Sequence, residues 1–518
     1  MPHRNSLILR RLGIDTYQHH VVFMRSDCHI CRSEGFSVQS RVQVRLAERT
    51  IITTVNVVHS ELFARGEGGL SESAWRALGA HEGDEMLLSH AAPVESFGHL
   101  RGKVYGKPLD DASMLEIVRD ITAGRYSDLH LSAFITACAG NHLDLDETVA
   151  LTRAMVAVGG RMSWDKAQIM DKHCVGGLPG NRTTPIVVAI VAAFGLVIPK
   201  TSSRAITSPA GTADTMETLA PVNLDARAMR RVVEREGGCV VWGGAAGLSP
   251  ADDALVRVER PLELDSEGQL VASVLSKKAA AGSTHVVVDM PVGPTAKVRS
   301  PAAAEFLCGR FEATGRALGL SVRVVVTDGS QPVGRGIGPA LEARDVLAVF
   351  RGEAGAPLDL RERALLLAGQ VLELSGRTPV GKGQMEATAI LEDGRARRKF
   401  EAICEAQGGM REPRKAAHTD WICATRSGRV IAIDNWRLAR AAKLAGAPQA
   451  SAAGVEFLTP VGSVVEEGQP LFVLHAEAHG ELHYALDYVN SQPDIVMIGG
   501  PGEVLVTQAL IMREGVKP

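Results

Sequence analysis

Cysteine is scarce in this chain: eight in 518 residues, at positions 28, 31, 138, 174, 239, 308, 404 and 423. So thin a scatter excludes a disulfide scaffold and points to reduced thiols in a cytoplasmic setting. Cys28 and Cys31 form one CxxC, but no second Cys/His pair stands nearby at zinc-finger spacing. A structural metal is therefore not expected there, and the plain reading is two small residues in a β-rich segment. An excess of one charge is also missing. With 56 basic and 59 acidic residues the net charge is −3, which excludes the broad basic field of a nucleic-acid-polymer binder. A few local donors still suffice for one small anion. The longest apolar run, IVVAIVAAFGLVI between Pro185 and Pro199, falls short of the ~20 residues a membrane helix needs and reads as a buried helix. The N-terminus, MPHRNSLILRRLGIDTYQHH, lacks an apolar core followed by a small-residue cleavage site. A soluble protein without a membrane partner is expected, with no internal repeat or low-complexity tract.

What is present suggests three or more structural units. Residues 1–95 alternate apolar runs and turn residues; VVFM (21–24), SVQSRVQVRL (37–46) and TIITTVNVV (50–58) carry the β-branched bias of strands. That predicts a β-rich N-terminal domain. From Asp110 the period becomes helical: Met114, Leu115, Ile117, Val118 and Ile121 share a face that Gly124 ends. A second helix follows Ser127 with Leu129, Leu131, Phe134 and Ile135, and a third starts near Asp146. A helical domain over 100–170, completed by part of 250–283, is expected. Residues 171–410 alternate strands such as THVVVDMPV (284–292) and SVRVVVTDG (321–329) with helical stretches, the signature of a central α/β domain with a mainly parallel sheet. Arg411–Thr419 reads as a linker, and 420–518 as a C-terminal α+β domain. The fold class is multidomain α/β.

Two segments carry chemistry. In Asp171-Lys172-His173-Cys174-Val175-Gly176-Gly177-Leu178-Pro179-Gly180-Asn181-Arg182-Thr183-Thr184, glycines let successive backbone N–H groups point into one concavity just before a helix, which makes an anion site. A Gly-rich turn before a buried helix would look the same. In Lys200–Thr212, six hydroxyl residues, one arginine and one lysine fall within thirteen positions, suiting phosphate and sugar oxygens. A solvated Ser/Thr loop is the plainer alternative.

The second segment resembles the signature S-x-R-x-x-x-x-x-G-T-x-D-x-x-E of the thymidine and pyrimidine-nucleoside phosphorylase family, here Ser202, Arg204, Gly211, Thr212, Asp214 and Glu217. The first resembles the family's Lys-His-Ser-x-Gly-Gly loop. Ser273-Val274-Leu275-Ser276-Lys277-Lys278, Thr327–Arg335, GRVIAID and VEEGQPL match as well, so that the resemblance covers roughly residues 100–500. TSSRAITSPAGTADTME and GSTHVVVDMPVGPTAKVRS are most similar to the long type-2 subgroup and to AMP phosphorylase.

The resemblance implies phosphate held by Lys172, Gly177, Thr183, Ser202 and Thr212, with Cys174 where the family has serine, a thiol being the poorer donor. His173 is implied as an orienting or proton-handling group and Asp265 as the proton donor to the leaving base. Ser203, Arg204, Ala205, Ile206, Thr207 and Ser208 are implied to line the nucleoside or nucleotide, with Ser273, Lys277 and Lys297. Glu259 occupies the place of a base-binding arginine, with Arg260 next to it. The implied reaction is phosphorolysis of a nucleoside 5′-monophosphate or nucleoside, with phosphate as co-substrate, no cofactor and no metal. The site is expected to close about a hinge, and the chain to form a homodimer or higher homo-oligomer. Thymidine phosphorolysis is one alternative. A phosphoribosyltransferase is another; it would need acidic residues to present magnesium, and Asp252-Asp253 is the nearest adjacent pair. The C-terminal region is also similar to a biotinyl or lipoyl half-barrel, but no lysine lies between Lys443 and Lys517 to act as acceptor.

Overall fold

The computed structural model describes residues 5–499, with the exception of 18, 206, 207, 263 and 265. It separates into two units: residues 1–102 with 119–131, and residues 103–118 with 132–518.

In the first unit, strands Ser6–Arg11, Val21–Arg25, Arg41–Leu46, Arg49–Val58, Glu67–Leu70 and Glu85–His90 close into a six-stranded barrel. Alternation puts Val42, Val44 and Leu46 inside and leaves Arg45 exposed. The predicted strand 37–46 starts only at Arg41, because Ser37 and Ser40 bond to each other in a turn. Cys28 and Cys31 are buried free thiols of the barrel core, packed with Ile30 and Phe36.

The predicted helices appear as Asp111–Thr122, Asp128–Cys138 and Leu145–Ala157. Met114, Ile117, Val118 and Ile121 are buried, but Leu129, expected on an apolar face, is 81% exposed. In the second unit Leu145–Ala157 packs against Glu267–Ala280. Gly268 there lies so close to Leu143 that a Cβ would come within 2.8 Å of its side chain.

The α/β region is built on parallel strands. Ser321–Asp328, His285–Val292 and Met170–Cys174 pair in that order, and Ile198–Ser202 pairs with Gly238–Trp242. A parallel bridge from Ile169 to Val197 joins the two sets. The apolar run divides: Thr184–Ala193 is a helix whose residues 184–192 are all buried, and the rest turns at Gly195 into strand Ile198–Ser202. Among the described residues no helix is long and apolar enough to cross a membrane. Towards the C-terminus, His418–Cys423, Pro470–Ala476 and Gly454–Phe457 form one antiparallel sheet, which Gly336–Ile337 from the expected α/β region joins, and Val464–Val465, Gly428–Ile433 and Val496–Gly499 form another. Helices Asn435–Leu444 and His479–Asn490 complete this α+β portion.

Candidate active site

Strand Met170–Cys174 delivers the first segment. After Cys174 the chain takes left-handed conformations at Gly176, Gly177, Gly180 and Asn181 before entering helix Thr184–Ala193. Gly180 has no substitute, since a Cβ would sit 2.2 Å from the Val333 carbonyl oxygen. At Gly177 a Cβ would come within 2.7 Å of the Lys297 backbone nitrogen. That close approach seats Lys297 against the loop, with its side chain exposed.

The Lys172 ammonium is fully buried, donates to Thr183 Oγ1 at 2.8 Å and stands 3.7 Å from Asp289. Asp289 is satisfied by further donors: Thr327 Oγ1 at 2.7 Å and Asn181 Nδ2 at 3.1 Å. The same Asn181 amide reaches Cys174 Sγ at 3.3 Å. Burial, reinforced by the Asp289 charge, pushes the Cys174 thiol up to about 12, so it stays protonated. His173 is half-buried. Desolvation, then the charges of Lys278, Lys200, Lys277 and Lys172, hold its imidazole well below the usual histidine range and leave it neutral.

The second segment leaves strand Ile198–Ser202 and folds back onto helix Thr212–Glu217. Asp214 organises it by accepting the backbone N–H groups of Ala205 at 2.6 Å and Gly211 at 2.9 Å. Gly211 packs against the loop's own backbone, where a Cβ would lie 2.5 Å from Ser203 O. Arg204 is committed to this scaffold: its guanidinium bonds Glu217, Asp214 and Asn223 and lies 5.0 Å from the centre of the Trp242 ring. Ser203 is exposed, Ala205 half-buried, and Ser208 donates to Ala210 O. Ile206 and Thr207 lie outside the described residues, as does Asp265.

The two segments meet through Arg182, which donates to Thr212 Oγ1 at 2.7 Å, to Ala210 O at 3.0 Å and to buried Glu342 at 2.6 Å. Ser202 Oγ is buried and has no hydrogen-bond partner among the described residues, and the same holds for Asn181 Oδ1. A buried hydroxyl left unpaired is unfavourable, so Ser202 is poised to bond a polar ligand. Sequence reasoning assigned no role to Arg182, Glu342, Asp289, Asn181 or Asp171. Glu342 and Asp289 serve the loops from other elements, whereas Asp171, Asn181 and Arg182 stand inside the glycine segment itself.

Ser273 and Lys277 lie within helix Glu267–Ala280. At a spacing of four they share a face: Lys277 Nζ donates to Ser273 Oγ at 3.0 Å and to Asp252 at 2.8 Å. The next residue, Lys278, meets Asp171 at 2.9 Å. Glu259 lies on helix Pro250–Leu262.

Residues 166–397 match the model of the glycosyl transferase family a/b domain, and residues 99–159 that of its helical bundle domain. The chain is 64% identical over 497 residues to a protein of Polaromonas sp. (strain JS666 / ATCC BAA-500) named "Putative thymidine phosphorylase", covering 96% of this chain and 97% of that one. A protein of the same name from Legionella pneumophila (strain Paris) is 58% identical, with 96% of each chain covered. Among solved structures, anthranilate phosphoribosyltransferase from Thermus thermophilus superposes with a TM-score of 0.50 at 20% identity, over 60% of this chain and 98% of that one. At that identity the likeness is one of fold.

Proposed function

Because this chain belongs to the glycosyl transferase family that joins a helical bundle to an a/b domain, and is a pentosyltransferase, we propose that it catalyses phosphorolysis of an N-glycosidic bond. The substrate is a nucleoside 5′-monophosphate of the AMP, CMP or UMP kind, or a nucleoside. The products are the free base and a sugar 1-phosphate. The observation that carries this reading is a set of buried polar groups in the two segments: Lys172 joined to Thr183, and the Ser202 hydroxyl unpartnered among the described residues.

In this reading a phosphate oxygen bonds to C1′ as the C1′–N bond breaks, and the bonding pair leaves with the base nitrogen. The phosphate, held by Lys172, Thr183, Ser202, Thr212 and the Gly177 loop, stabilises the positive charge developing on the sugar. Asp265 gives the departing base its proton, help of ~10²–10⁴-fold in such reactions. Neutral His173 orients the substrate, and Ser273 with Lys277 faces the base. Since Arg204 is bound to Glu217 and Asp214, a 5′-phosphate would be met by Lys297, Ser203 and Ser208.

The names of the Polaromonas and Legionella relatives favour a second reading, thymidine phosphorolysis. Magnesium-dependent phosphoribosyl transfer is less well supported, because Asp252 is already paired with Lys277. Base release from AMP, CMP, UMP, thymidine and uridine, with and without phosphate and with and without chelator, separates the three. Turnover of thymidine and uridine alone would remove the nucleotide preference. Release that ignores phosphate would remove phosphorolysis itself.

A further inference from the structure

Two interior lysines have no part in the reaction described above. Lys200, on strand Ile198–Ser202, is 3% exposed and stands two residues before the unpartnered Ser202. Lys278, on helix Glu267–Ala280, is 1% exposed. Both reach one carboxylate, that of Asp171, Lys278 at 2.9 Å and Lys200 at 3.8 Å. Asp171 also accepts the Ser283 hydroxyl and the Lys172 backbone N–H. Lys172 itself faces the other buried carboxylate, Asp289.

Among the described residues, three buried amines thus confront two buried carboxylates, and His173, neutral, adds no balancing charge. An interior cation without a counter-charge is strongly disfavoured. Burial and the neighbouring Lys278 accordingly push the Lys200 amine well below the usual lysine range, against the pull of Asp171. A doubly charged oxyanion beside Ser202 would supply the charge the cluster lacks.

We infer that Lys200 is a specificity-determining cation of this site, which selects a doubly charged phosphate by taking up the proton that the bound anion then neutralises. The inference rests on the phosphorolytic reading and adds a residue and a proton to it. The proton comes from solvent on binding and returns there when the anion leaves. Lys200 acts through the field in which the anion is held, alongside Lys172.

Lys200→Met keeps the stem and removes the amine. Its phosphate KM is expected to rise by about tenfold or more while the KM for the nucleoside or nucleotide stays within about twofold. Sulfate, which does not titrate in the working range, serves as the probe for the proton. Calorimetry in two buffers of different ionisation enthalpy at about pH 8.5, where neutral His173 is silent, should show proton uptake on sulfate binding to the unaltered protein and none with Lys200→Met. A folded Lys200→Met protein with unchanged phosphate KM overturns the inference. If the variant does not fold, the unaltered protein decides alone: uptake upholds the inference and its absence overturns it. Base release independent of phosphate would instead defeat the phosphorolytic reading, and the sulfate experiment would still be readable.

Discussion

Arg182 donates to Thr212 Oγ1 at 2.7 Å, so the arginine of the glycine segment holds a hydroxyl of the Ser/Thr segment. Its other nitrogens hold Ala210 O and the buried Glu342 carboxylate, which Thr215 also reaches at 2.8 Å. Arg182→Ala would leave Glu342 buried without its cation, a loss of about 3 kcal/mol for a pair of this kind. Urea unfolding should show that loss, and the phosphate KM should rise with it. Stability equal to that of the unaltered protein would mean that the pair is replaceable.

Lys172→Met leaves Asp289 buried without its cation and should cost about 3 kcal/mol of stability, while Thr327 and Asn181 still donate to that carboxylate. Loss of one preorganised charged donor at the developing charge is worth ~10²–10³-fold in kcat. Steady-state kinetics at saturating phosphate check this, and a loss confined to KM would mean that the lysine binds without assisting the chemistry.

Gly177→Ala would press a methyl group into the Lys297 backbone in a left-handed conformation at φ +81. Strain of this order is worth about 1–3 kcal/mol and should fall on the loop. Turnover is expected to drop more than the melting temperature, as measured by kinetics and calorimetry on the same preparation.

Cys174 titrates at about 12, above the ordinary thiol, so its thiolate is absent at pH 8 and appears only as the pH climbs toward that value. In the folded protein iodoacetamide at about pH 8 should modify exposed Cys423 and spare Cys174. Cys174→Ser should keep activity within a few-fold, because a hydroxyl can still accept from the Asn181 amide as the sulfur does. Mass spectrometry of the alkylated protein and initial rates decide both points. Rapid alkylation of Cys174 would contradict the burial argument.

The sequence carried the parts of this molecule that are local. Period and turn residues placed the helices from Asp111 and strands such as His285–Val292, and glycine density marked the loop at Gly176 and Gly177. Leu129 failed because a helical period says which residues share a face but not whether that face is covered. Strand pairing order escaped as well: that Met170–Cys174 lies between His285–Val292 and Ile198–Ser202 is a long-range choice. The site divided in the same way. Lys172, Thr183, Ser202 and Thr212 stand in two readable segments. Asp289 and Glu342 are ordinary acids in strand or helix text, and only folding brings them to those segments. Arg204 read as a free donor because a sequence does not reveal that Glu217 and Asp214 already hold it.

Lys277 and Lys278 are neighbours on one helix, about 100° apart around its axis. One addresses Ser273 and Asp252, the other Asp171 on strand Met170–Cys174. A small roll of Glu267–Ala280 would therefore shift both addresses together. Inserting a single residue ahead of Lys277 would turn both lysines by about 100° and take each away from its present partners. This helix behaves as a shared axle, whose register sets both addresses at once.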